Sequence, residues 1–165
     1  MPQTGREMKK TVQFIVWITF TIYCFVLFKL LFLDMRIRFS TGGISAHFAI
    51  SNFIPFKSIY SYMVKAANNS IPRGTAMLNV IGNLIAFFPM GCYLPCLFKK
   101  MRKPLPIFLL IFGILIAVEL LQPILCIGVF DIDDIILNIS GAAVGFGIVS
   151  IPSVSRMLKR FYIYY

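Results

Sequence analysis

LPIFLLIFGILIAVELLQ, residues 105–122, is the stretch on which the fold turns. Positions 105–118 hold no ionisable or amide side chain, and then Glu119 and Gln122 arrive three residues apart on one helical face. At 1.5 Å per residue such a helix covers about 27 Å, close to the roughly 30 Å of a bilayer's hydrocarbon. A helix apolar on every side needs apolar surroundings on every side, and a chain of 165 residues buries too little surface to supply them in water. The segment therefore reads as a membrane span.

Working outward, residues 12–33, 78–98 and 134–152 have the same length and character. The whole chain is 59% hydrophobic and only 13% charged, outside the range of ordinary soluble domains. The reading is an all-α integral membrane bundle of four transmembrane helices, forming a single domain over residues 1–165. The first run follows Arg6, Lys9 and Lys10 like a signal peptide. It is too long for a signal h-region and has no small-x-small cleavage site, so it reads as an anchor.

The net charge of +10 falls between the apolar runs rather than in a stripe with interleaved aromatics, which argues against nucleic acid. It reads instead as a topology signal. Arg6, Lys9, Lys10, Lys99, Lys100, Arg102, Lys103, Arg156, Lys159 and Arg160 share one side of the four spans, largely in short segments. That side, carrying both termini, is expected to be cytoplasmic. The other side holds Arg36, Arg38, Lys57, Lys65 and Arg73 spread over a long first loop, and no basic residue in the second. Cys24, Cys92, Cys96 and Cys126 sit in or beside apolar runs without C-x-x-C spacing and read as buried free thiols.

The first outer loop is too long for plain coil. Phe56, Ile59, Tyr60 and Met63 recur at helical spacing behind Asn52 and Pro55, with Lys57 and Lys65 off the stripe. This predicts a short amphipathic helix ending near Asn68, either lying in the outer interface or packed on the bundle top. His47, in the same loop without a carboxylate or cysteine at ligand spacing, reads as a surface histidine.

Polar groups are costly in lipid, so those inside the spans carry information. Asn79 and Asn83 share a face at the start of the second span, Glu119 and Gln122 at the end of the third, and Asp134 and Asn138 at the start of the fourth. With Lys29 near the end of the first span and Asp131 and Asp133 just before the fourth, these residues fall in one layer near the outer boundary. They are the candidate pocket. Simpler roles stand beside this one: an N-cap for Asp133 or Asp134, interhelical glue for the asparagines, a snorkelling side chain for Lys29. Glu119 faces the negative end of its own helix and needs a proton or a cation, with Lys29 the nearest cation by depth. Gly141 and Gly145 form a G-x-x-x-G step that admits a second backbone, within the chain or in a homo-oligomer. Pro89 is expected to kink the second span, and Pro123 to end the third just after Gln122.

Several of these elements have a familiar order: Leu27-Phe28-Lys29, Asn52-Phe53-Ile54-Pro55-Phe56, Asn79 through Gly82-Asn83 to Phe88-Pro89-Met90-Gly91, Glu119-Leu120-Leu121-Gln122, and Phe130 to Gly141 with its D-x-D-D, followed by Gly145. On these residues the chain resembles the VanZ-like membrane proteins. Many members carry an Arg shortly before the D-x-D-D element, where this chain has Gly128 and Val129. The resemblance implies a bacterial plasma-membrane protein and a link to resistance against the lipoglycopeptide teicoplanin. It brings no established reaction and no cofactor.

Three function classes follow. The first is a noncatalytic factor whose outer pocket engages membrane lipid, a lipid-linked cell-wall precursor or a lipoglycopeptide. The second is an enzyme on a lipid-linked envelope substrate, with Glu119 as acid or base and Asp131, Asp133 and Asp134 able to hold Mg²⁺. It lacks an established metal motif, and no metal ligand set is assigned. The third is a small proton-coupled transporter built on Glu119, which would need oligomerisation through Gly141 and Gly145 to complete a path.

Overall fold

The computed structural model describes residues 3–33 and 43–161. Four helices are long and apolar enough to span a bilayer. These are α1 (Gln3–Phe28, continued by a π-helical turn, Lys29–Leu33), α4 (Arg73–Leu97), α5 (Pro104–Ile124) and α6 (Ile132–Ser150). Short helices decorate the two ends. α2 (Gly43–Ala49) and α3 (Lys57–Ala67) lie between α1 and α4, while α7 (Pro152–Arg160) follows α6. A single 3₁₀ turn, Lys99–Arg102, joins α4 to α5. The all-α bundle expected from the sequence is therefore present, and the three later spans differ from the expected bounds by up to five residues.

The centre of the bundle is the α4–α6 pair. A Cβ placed on Gly141 would strike the Leu84 carbonyl, one on Gly145 the Phe88 carbonyl, and one on Gly91 the Ala142 carbonyl. Backbone thus lies on backbone, a closeness only glycine permits. The G-x-x-x-G step is filled by α4 of the same chain. Around this pair Phe87, Ile107, Ile111, Leu115, Ile135 and Ala142 are buried at or below 2% exposure and close the middle of the bundle.

α1 leans on α4 through aromatic rings. Tyr23 stacks on Tyr93 at 5.8 Å, Trp17 meets Phe98 edge-on at 5.6 Å, and the Tyr23 hydroxyl donates to the Ala86 carbonyl at 2.7 Å. Most of α1 remains exposed, as a lipid-facing helix requires. α4 is helical through both Pro89 and Pro95.

α5 does not stop at Pro123. It continues to Ile124 and closes with Cys126 in the left-handed region (φ 56°), its N–H bonded to the Pro123 carbonyl and that of Ile127 to the Gln122 carbonyl. This is a Schellman cap with cysteine where glycine is usual, and it, rather than the proline, sets the end.

The two ends of the bundle differ chemically. The turn at Lys99–Arg102 and α7, with Arg156, Lys159 and Arg160, form a basic end. At the opposite end α2, α3 and the α5–α6 loop gather around the start of α6, where the carboxylates are.

Candidate functional site

The polar end is organised by the first turn of α6. Asp131 is its N-cap, accepting the Asp133 N–H at 2.9 Å, so Asp133 and Asp134 occupy the first turn, where the helix dipole favours negative charge. Asp133 is 1% exposed, yet its carboxylate does not enter the bundle core. It reaches the N-terminus of α3 and accepts the N–H groups of Phe56, Ser58 (2.7 Å) and Ile59 (3.1 Å). Those donors have no carbonyl partner within their own helix, so one carboxylate satisfies the start of a helix about 75 residues away in sequence.

The approach imposes a cost on the backbone. Phe56 has φ 66° and ψ 2°, a left-handed conformation costing a bulky residue about 1–2 kcal/mol. Three charge-assisted hydrogen bonds, each worth roughly 1.5–3 kcal/mol, outweigh it.

Asn52 secures the same loop from the other side. Its amide donates to Asp131 Oδ1 at 2.9 Å and to Ser58 Oγ at 3.1 Å, its Oδ1 accepts the Ile54 N–H, and its backbone forms a one-residue parallel bridge with Asp131. Phe53 stacks on Phe130 at 4.8 Å beside that bridge. Glu119, 3% exposed, accepts the Asp131 N–H at 2.8 Å and so holds the start of α6 to the end of α5. Asp134 accepts from the Asn83 amide and ties α6 to α4. Asn138 donates to the Asp134 carbonyl, while its buried Oδ1 has no donor among the described residues.

The structure thus brings together Asn83, Glu119, Asp131, Asp133, Asp134 and Asn138. Gln122 stands to one side, donating to the Leu31 carbonyl at 3.3 Å and fastening α5 to the π-turn of α1. Asn79 lies on the exposed surface of α4 and bonds back to the Thr75 carbonyl of its own helix. Lys29 has an exposed side chain on the π-turn. Among the described residues no three His, Cys, Asp or Glu side chains are grouped to hold a metal ion. One turn below the polar layer Phe87, Leu115 and Ala142 are buried, so the layer meets a closed apolar core.

His47 corrects the sequence reading. It is 4% exposed, and its Nδ1 lies 2.7 Å from the Gly128 carbonyl, because α2 lies against the α5–α6 loop. Ser51, which receives the Phe130 N–H and donates to the His47 carbonyl, strengthens the same junction. Sequence reasoning also passed over Ser58 and Tyr62, which give no periodic signal; Asn52 was visible as a residue ahead of the helix and in the family-like run 52–56, not as a partner of Asp131.

α3 shows which way the loop faces. Phe56, Tyr60 and Met63 of the apolar stripe are exposed, whereas Ile59, its fourth member, turns toward the bundle with Ser58, Tyr62 and Ala66. An outward apolar stripe suits a helix lying in a membrane interface rather than one packed by that stripe on the bundle. Two grooves flank α3. One, about 400 Å³, runs between α3 and α4 and is lined by the apolar Met63, Ala66, Ala76, Met77, Val80 and Ile81 together with Tyr62 and Arg73. The other, about 210 Å³, lies between α3 and residues 50–52. Tyr62 borders both, and burial raises its phenol above the ordinary tyrosine range, with the charges of Asp134 and Asp131 pushing the same way.

A family model, VanZ/LLP1, matches residues 20–153. The chain belongs to the VanZ/LLP1 family. No curated protein and no solved structure matches it. The matched segment contains the last half of the first apolar helix, the other three whole, both grooves and every residue of the carboxylate network. Membership makes these apolar helices membrane helices, and the VanZ/LLP1 chain is a multi-pass membrane protein.

Proposed function

We propose that this VanZ/LLP1 protein sits in the bacterial plasma membrane with both termini cytoplasmic and its polar end outward. There it receives an amphiphile, either a lipid-linked envelope component or the lipid tail of a lipoglycopeptide such as teicoplanin, and lowers antibiotic action at the cell surface. One observation carries the reading: the open, largely apolar groove of about 400 Å³ between α3 and α4, whose lining includes Tyr62 and Arg73. Apolar walls with a few polar groups at the rim are what an amphiphile needs. The excess of lysine and arginine at the opposite end supports the orientation. In this reading the carboxylate network is a positioning device that holds α3 where the groove can form.

A photoactivatable lipid-linked precursor tests the groove on purified protein. Labelling is expected on α3 and α4 near Met63 and Met77, falling about tenfold in Val80→Trp, which fills the groove. Equal labelling of wild type and Val80→Trp, with matching melting curves, contradicts the reading. In cells, a single cysteine at Ser61 in a cysteine-free background is expected to react with an impermeant reagent from outside. Protection against teicoplanin is expected to depend on Val80 in the same way as labelling.

A further inference from the structure

The smaller groove has a different chemistry from its neighbour. It is lined by Ser51, Asn52, Lys57, Ser58, Ser61, Tyr62 and Lys65 together with Ile50. Lys57 and Lys65 are two helical turns apart on α3, about 12 Å along its axis, with Ser58, Ser61 and Tyr62 between them. Both lysines sit at the end of the bundle that the topology rule leaves poor in positive charge, as does Arg73 on the adjoining groove. Topology therefore gives no reason for these cations, whereas a ligand does. Among the described residues no carboxylate lines this groove: Asp133 is spent on the N–H groups of α3, and Asp131 on Asn52 and Asp133. Ser58 accepts the Asn52 amide through its oxygen, which leaves its hydroxyl proton to donate.

We infer that Lys57, Ser58, Ser61, Tyr62 and Lys65 form a subsite for the phosphate of an anionic lipid whose chain lies in the α3–α4 groove. Two cations and three hydroxyls presented along one helix face suit a tetrahedral, multiply charged acceptor with oxygens pointing several ways. Tyr62, common to both grooves, marks where headgroup and chain meet. The inference rests on the groove holding an amphiphile and adds the headgroup chemistry.

The test is equilibrium binding to the full-length protein in a neutral maltoside detergent, comparing phosphatidic acid with diacylglycerol of the same acyl chains. Wild type is expected to bind phosphatidic acid about tenfold more tightly, a preference that shrinks as salt rises. Lys57→Gln/Lys65→Gln is expected to erase the preference and leave diacylglycerol binding and the melting temperature unchanged. Ser61→Ala/Tyr62→Phe keeps both charges and is expected to lose at least half of the preference. Wild-type-like preference in that variant means that the lysines act as diffuse surface charge, and the subsite is overturned. Equal binding of the two lipids by wild type overturns the subsite while the groove stands; failure to bind either overturns both. Inorganic phosphate that displaces phosphatidic acid, while diacylglycerol stays bound in its place, supports the subsite. Phosphatidic acid bound as tightly by Val80→Trp as by wild type assigns the site to a free anion and overturns the lipid reading.

Discussion

The start and the middle of α6 are joined to the protein by opposite means. Along its middle, Gly141 and Gly145 press directly on the α4 backbone at Leu84 and Phe88, with no side chain between. At its start, Asp131, Asp133 and Asp134 reach outward as carboxylates, and each ends on a donor from a different segment. The first junction works by removing atoms, the second by adding charge. Lipid explains the division. Between spans there is no water to compete and no hydrophobic gain in contact, so close packing decides; near the interface, the unpaired N–H groups of a short helix need a partner, and a carboxylate supplies one.

The difference predicts how each junction breaks. Gly141→Leu introduces a side chain where the Leu84 carbonyl stands and neither backbone can move aside alone. A loss of about 4 kcal/mol or more is expected, seen as absence of a folded monodisperse protein in detergent. Gly82→Leu, with open space at its Cβ position, is the matched control and is expected to fold normally.

Asp133→Ala should be the next most severe. It strands three N–H donors at the start of α3 and is expected to cost on the order of 3 kcal/mol, confined to α2 and α3. Limited proteolysis within residues 50–70, with the four spans intact, is the readout. Glu119→Gln keeps an oxygen able to accept the Asp131 N–H and is expected to cost only about 1 kcal/mol, measured as a small fall in melting temperature. A collapse in that variant would mean that the charge of Glu119, and not its acceptor geometry, organises the α5–α6 junction. Asn79→Ala sits at the bottom of the scale. The side chain is exposed and bonds only to its own helix in the structure, so a change within about 0.5 kcal/mol is expected.

The same division decides what the sequence disclosed. Four spans, their approximate bounds and the layer of polar residues were legible because hydrophobic length and helical spacing are local properties. The glycine step was legible as a close-approach face, though only the structure placed α4 on it. The helix α3 was also local; of the stripe read from spacing, Phe56, Tyr60 and Met63 face outward while Ile59 turns toward the bundle. The pairing of Asp133 with α3 was not legible, because it joins positions about 75 apart and nothing in either segment names the other. Asn79 shows the converse failure: helical spacing gave it the same face as Asn83, but at the start of α4 that face has left the bundle. His47 was misjudged because a lone histidine in a loop carries no pattern, and its burial depends on the unforeseen helix α2 lying against Gly128.

The central claim is that the carboxylates at the start of α6 act on α3, holding it at the interface so that the grooves beside it can form. Amide hydrogen exchange on wild type and Asp133→Ala tests this most directly. The account predicts that protection in Ile59–Ala67 falls by at least tenfold while Leu84–Gly91 and Asn138–Gly145 exchange as in wild type. Unchanged protection in α3, or equal loss in α4 and α6, would contradict it.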